Sequence, residues 1–105
     1  MKAKAKVKLP LEQIEAFAKR WRIQELALFG SVLRHDFGPD SDIDVLVSFE
    51  QDAHVDLFDL VRMEEELKGI FGRAVDVVTI ESVESSRNYI RRREILQSAE
   101  TVYVS

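Results

Sequence analysis

The sequence predicts an α/β (α+β) domain in which helices pack on a small mixed β-sheet. Apolar residues recur at helical spacing in some segments and alternate with polar residues at strand spacing in others. These segments follow the order helix, strand, strand, helix, strand, helix. A mixed sheet with helices against one face accommodates that order.

The first predicted helix spans residues 10–21. Pro10 suits a first helical turn, because its missing N–H would have no partner there. Apolar side chains then follow at helical spacing at Leu11, Ile14, Phe17, Ala18 and Trp21. Residues 23–29 are an apolar run ending at Gly30, which predicts a strand that reaches a turn. Residues 31–41 predict a short helical turn and then a loop.

The clearest strand signal lies in residues 42–49, where apolar and polar positions alternate. One face takes Ile43, Val45, Val47 and Phe49, and the other takes Asp42, Asp44, Leu46 and Ser48. A helix is predicted over residues 55–70, with Glu64, Glu65 and Glu66 on its solvated face. Its inward stripe is predicted to hold Val55, Phe58, Val61 and Leu67.

The last third of the chain predicts a strand over residues 73–80 and a helix over 83–98. Residues 101–104 are apolar enough for an edge strand or a docked tail. Gly69 or Gly72 can end the preceding helix. We expect one domain over residues 10–105, preceded by a flexible, lysine-rich leader at residues 1–9.

Composition excludes several classes of function. The formal net charge of −4 argues against general nucleic-acid binding, which usually needs a basic face. The chain has no cysteine, so disulfides and thiolate zinc sites are excluded, and a cytoplasmic location is expected. No apolar run approaches ~18 residues, so no membrane span is expected.

The main chemical signal is the pair Asp42 and Asp44 at the start of the predicted strand. Residues two apart on a strand share a face, with Cα atoms roughly 6.5–7 Å apart. Their carboxylates can therefore share or bridge a divalent cation such as Mg²⁺. Asp76 is the only acid inside the next strand pattern, where an unpaired buried carboxylate would be costly. It is the expected third ligand, although two surface acids near a strand start remain the plain alternative.

A phosphate site is predicted just upstream of these aspartates. Gly30 allows close approach of a phosphate to the backbone, and Ser31 offers a hydroxyl and an N–H. Arg34 lies one helical turn further on and can reach the same phosphates, while Ser41 can brace the turn before Asp42. A simple Gly-Ser turn and a solvated arginine are the structural alternatives.

The remaining polar residues suggest less. His35 and His54 are the only histidines and have no metal-ligand spacing, so we expect surface positions, with a substrate contact open for His35. The run Arg91–Arg93 suggests either a solvated helix face or a basic rim that meets a nucleotide or a partner protein.

Gly30-Ser31, ten intervening residues, Asp42-x-Asp44 and then Asp76 on a following strand resemble the minimal nucleotidyltransferases of the DNA polymerase beta-like superfamily. Within that superfamily, the likeness is to the MntA-type antitoxins encoded beside HEPN-domain toxins. The resemblance implies that Asp42, Asp44 and Asp76 hold two Mg²⁺ ions and that Gly30 and Ser31 hold the triphosphate of ATP. His35 replaces a glycine common after the arginine at position 34, and Asn88 replaces a proline found in many relatives.

This resemblance implies a Mg²⁺-dependent adenylyltransferase that moves AMP from ATP to a tyrosine of a HEPN toxin, as the antitoxin of a type VII toxin–antitoxin system. Asp76 would assist deprotonation of the acceptor. A non-catalytic binding antitoxin is an alternative, as is transfer to a small molecule or a nucleic-acid end. With 105 residues there is little room for an acceptor domain, so the acceptor is expected on another chain, in a homo- or hetero-oligomer.

Overall fold

A computed structural model describes residues 10–30 and 42–105. Within them, four helices and four strands follow the chain. The helices are α1 (Leu11–Arg20), α2 (Leu57–Phe71), α3 (Ile80–Glu84) and α4 (Tyr89–Ser98). The strands are β1 (Ile23–Phe29), β2 (Ile43–Phe49), β3 (Val75–Thr79) and β4 (Glu100–Val104). The leader at residues 1–9 and the turn and loop predicted at 31–41 lie outside the described residues. No helix in the described ranges is long and apolar enough to cross a membrane.

The strands form one mixed sheet in the order β3-β2-β1-β4. β2 pairs antiparallel with β1, and β4 pairs antiparallel with the other side of β1. β2 and β3 are parallel, because α2 crosses over between them and returns the chain to the same end of the sheet. The mixed sheet and the edge strand near the C-terminus are confirmed.

Helices cover both faces of the sheet, so the expectation of helices on one face is wrong. The main core lies on the face covered by α1 and α2. A second cluster on the opposite face joins Leu46 of β2 and Phe29 of β1 to Val83 of α3 and Ile95 of α4. Apolar side chains on this second face would otherwise meet water, and α3 and α4 bury them.

The inward face of α2 differs from the prediction. Met63 and Leu67 are its buried side chains, whereas Phe58 and Val61 are 77% and 53% exposed. The inward stripe predicted from the apolar residues at the start of α2 is therefore rotated about the helix axis relative to the stripe that is buried. Asp56 fixes the start of the helix through a capping box, in which its side chain accepts from the Asp59 N–H at 2.8 Å.

The single helix predicted over residues 83–98 is two helices in the structure. α3 ends at Glu84, and Asn88 begins α4 by accepting from the Arg91 N–H at 3.0 Å. Ser85, Ser86 and Asn88 favour turns and caps over helix interiors, which explains the break. Asn88 therefore serves as the N-cap of α4.

Two glycines on or beside α2 allow a paired stability test. Gly72 ends the helix in the left-handed region at φ +75°, whereas Gly69 lies within it, and a Cβ at either position would meet nothing within 4 Å. We expect Gly72→Ala to destabilise the fold by about 1 kcal/mol because alanine resists that conformation. Gly69→Ala should stabilise it by roughly 0.5–1 kcal/mol through helix propensity. Urea unfolding of both variants measures this, and equal effects of the two would contradict the argument.

Candidate active site

The start of β2 presents two aspartates on one face. Ile43 and Val45 are fully buried in the main core, so the alternating positions of Asp42 and Asp44 belong to the opposite face. Asp42 immediately precedes the strand and is exposed, whereas Asp44 is half-buried. Strand parity thus assigns both aspartates to one face, and a metal site shared between them stays a prediction.

Asp76 lies beside Asp44 on the neighbouring strand. The parallel register of β2 and β3 pairs Asp44 directly with Asp76. Adjacent strands are roughly 4.8 Å apart, and residues in register project to the same face. Asp76 is exposed, so the argument that a metal would offset its burial is wrong. The strand register, and not burial, places it beside Asp44.

Gly30 lies beside Asp44, on the side of β2 opposite to Asp76. It directly follows β1, whose last residue Phe29 pairs with Asp44. Its φ is +77°, and a Cβ added there would overlap Oδ2 of Asp44 and lie 3.2 Å from Cγ of the same side chain. Glycine is therefore required both by the backbone conformation and by the approach of the carboxylate. The sequence suggested only the turn and the phosphate contact.

The donor set suits a hard divalent cation, because Asp42, Asp44 and Asp76 all offer carboxylate oxygens. In the part of the chain that the structure describes, no three acidic or histidine side chains already converge on one point. The strand register places Asp44 beside Asp76, and a metal site formed by Asp42, Asp44 and Asp76 stays a prediction. Ser31, Arg34 and Ser41 lie outside the described residues, as does His35. His54 is exposed, as expected.

Glu64 supports β3 in a way the sequence interpretation missed. Its Oε2 accepts from the Val77 N–H at 2.9 Å, one residue after Asp76 on an edge strand. The prediction of a solvated Glu64–Glu66 face fails further at Glu66, which accepts from Trp21 Nε1 at 2.8 Å and pairs with Arg20. Leu67 is correctly predicted to face inward, and residues three apart on a helix are neighbours. Glu64 could therefore have been predicted to lie beside the sheet.

The arginine run on α4 divides into different roles. The Arg92 guanidinium donates to the carbonyls of Glu84 and Ser86, both at 3.3 Å, and lies 5.5 Å from the Tyr89 ring centroid. Arg91 and Arg93 are exposed. Arg92 therefore holds the α3–α4 turn, and neither sequence alternative, a solvated face or a basic rim, describes all three residues.

Comparisons with known proteins identify the family of the chain. A family model described as a nucleotidyltransferase domain matches residues 11–99. Protein adenylyltransferase MntA of Thermococcus cleftensis is 32% identical over 96 residues, which are 84% of this chain and 95% of that protein.

Solved structures share the fold. A toxin–antitoxin crystal structure with AMP-PNP superposes with a TM-score of 0.70 at 18% identity, over 92% of this chain and 75% of that one. A tri-AMPylated Shewanella oneidensis HEPN toxin in complex with MNT antitoxin contains a match with a TM-score of 0.62 at 18% identity, over 90% and 70% of the two chains. A structure assigned to the minimal nucleotidyltransferases matches at 30% identity and a TM-score of 0.64, over 86% of each chain. The chain belongs to the nucleotidyltransferase domain family and, within it, to the minimal nucleotidyltransferases that include MntA.

Proposed function

We propose that this chain is a protein adenylyltransferase that moves AMP from ATP to a tyrosine hydroxyl of a HEPN-domain toxin and acts as its antitoxin. The observation that carries the proposal is the pairing of Asp44 with Asp76, with Gly30 packed against the Asp44 carboxylate. The similarity to MntA of Thermococcus cleftensis and to MNT antitoxin in complex with a HEPN toxin supports the acceptor.

The three aspartates are the proposed Mg²⁺ ligands. Two bound Mg²⁺ ions would neutralise triphosphate charge and lower the pKa of the attacking hydroxyl. Gly30 and Ser31 would receive the β- and γ-phosphates, Arg34 would add positive charge, and Ser41 would brace the turn before Asp42. Positioning and charge carry this kind of reaction, so little covalent work falls to the protein.

The proposed transfer is a single in-line displacement. The acceptor oxygen forms a bond to the α-phosphorus as the bond from that phosphorus to the α,β-bridging oxygen breaks. Pyrophosphate leaves with the electron pair of the broken bond. The hydroxyl proton passes to the Asp76 carboxylate and then to solvent. The products are the AMP-modified toxin and pyrophosphate.

A binding antitoxin without catalysis has one observation in its favour. The start of α2 exposes three apolar side chains, those of Leu57, Phe58 and Val61. The helix α2 itself packs on the face of the sheet opposite the aspartates. A partner held there would not need the aspartates.

We expect the toxin partner to acquire label from α-³²P-ATP when it is incubated with this chain and Mg²⁺, and EDTA should remove the effect. Intact-mass measurement should show one or more added AMP groups, and peptide fragmentation should locate them on tyrosine. Neutralisation of the toxin without label would support the binding antitoxin instead.

Substitution of the paired aspartates should separate binding from chemistry. We expect Asp44→Asn to lower AMP transfer on the order of 10³-fold or more and to weaken Mg²⁺·ATP binding, because it removes a charge that both ions need. Asp76→Asn should lower transfer similarly while retaining more of the nucleotide affinity. Glu65→Gln, an exposed carboxylate change on α2, is the matched control. Full activity of Asp44→Asn would refute the mechanism.

A methyl group at Gly30 should disturb the site through the Asp44 carboxylate. We expect Gly30→Ala to destabilise the fold by about 1–2 kcal/mol through its positive φ and to lower transfer at least tenfold. Gly69→Ala controls for added bulk, since a Cβ there meets nothing within 4 Å. Denaturation and transfer assays on both variants measure the two effects. Wild-type transfer by the Gly30→Ala variant would show that the close approach is not needed.

A further inference from the structure

The sheet order indicates from which side the acceptor reaches the proposed active site. Gly30, the proposed phosphate contact, follows β1; Asp44 lies on the central strand β2; and Asp76 lies on the edge strand β3. In-line displacement places the attacking oxygen opposite the departing pyrophosphate. If pyrophosphate leaves on the β1 side, the acceptor hydroxyl must arrive from the β3 side. This step rests on the proposed function.

A groove of about 350 Å³ lies between β3, α3 and α4. Its lining includes Val78, which lies two residues beyond Asp76 and is therefore on the same face of β3. Ser82, Ser86 and Asn88 contribute polar lining, and Arg91 lies at the groove with an exposed side chain. Its volume falls within the roughly 300–1,000 Å³ of ligand sites.

Hydrogen bonds hold the turn between α3 and α4 that borders the groove. Arg92 donates to the backbone carbonyls of Glu84 and Ser86, and the Asn88 N–H donates to Ser86 Oγ at 3.2 Å. These bonds fix the turn that separates the two helices. Such a preformed wall lowers the ordering cost of binding.

We propose that this groove binds the acceptor-bearing polypeptide segment of the protein partner, with the Arg91 guanidinium donating to carbonyl or carboxylate oxygens that flank the acceptor tyrosine. Arginine suits this role because its planar fork can make two parallel hydrogen bonds. Arg91 is exposed and places a positive charge at the groove, in a chain whose net charge is −4. That local charge favours oxygen-rich segments.

Two arginines on α4 provide the first test. We expect Arg91→Ala to raise KM for the HEPN-domain toxin about tenfold or more, with the Kd for ATP, measured by calorimetry, within twofold of wild type. Arg93→Ala, an exposed arginine of the same helix that does not line the groove, should leave both constants within twofold. Circular dichroism verifies that both variants are folded.

A wild-type KM for the toxin in Arg91→Ala would overturn the groove assignment. A rise in KM of equal size in Arg93→Ala would overturn it too, since general charge would then explain both. A wild-type chain that binds ATP but transfers no AMP would instead overturn the proposed function.

Cross-linking provides a test that does not depend on rates. The chain contains no cysteine, so Ser82→Cys can be labelled uniquely with a benzophenone maleimide. After irradiation with the toxin, we expect the cross-linked toxin peptide to contain or adjoin the AMP-modified tyrosine. Gln97→Cys, exposed near the other end of α4, is the control and should not yield that peptide. Recovery of the peptide from Gln97→Cys, or its absence from Ser82→Cys, would refute the assignment.

Discussion

The parallel pairing of β2 with β3 is the constraint on which the rest of the site depends. It brings Asp44 into register with Asp76, although the two residues are far apart in sequence. The helix α2 makes this pairing possible, since parallel strands need a crossover and cannot be joined by a tight turn. The buried side chains Met63 and Leu67 hold α2 against the sheet. Core packing on one face thus sets the positions of carboxylates on the other.

Gly30 adds a second constraint, on the side of β1. Gly30 has a left-handed backbone directly after Phe29, the residue of β1 that pairs with Asp44. The absence of a Cβ allows the Asp44 carboxylate to occupy the space that any other side chain would fill. One glycine therefore links the proposed phosphate contact to the proposed metal ligand. The link is steric and needs no hydrogen bond between them.

The second face of the sheet carries both a small apolar core and the proposed metal ligands. Leu46, Phe29, Val83 and Ile95 form a small core over part of it, while Asp44 and Asp76 are paired on β2 and β3. Glu64 reaches from α2 to the outer N–H of Val77 and so satisfies a backbone donor of the edge strand next to Asp76. An edge strand supported in this way can stay open toward an approaching partner without losing its register.

The sequence by itself determined the local features. Alternation of apolar and polar residues around Asp42 and Asp44 predicts a strand with both aspartates on one face, because side-chain direction on a strand depends only on residue parity. Ser31, Arg34 and Ser41 remain sequence predictions. Only the tertiary structure decided the partners of each element. Three features depend on which surfaces meet: the rotation of α2 about its axis, the burial of the second face by α3 and α4, and the contact between Gly30 and Asp44. The periodicity of one segment carries no information about the segment that packs against it. Asp76 shows the difference most clearly: its apolar sequence neighbours suggested a cost of burial that its exposed side chain does not incur, and strand register places it beside Asp44.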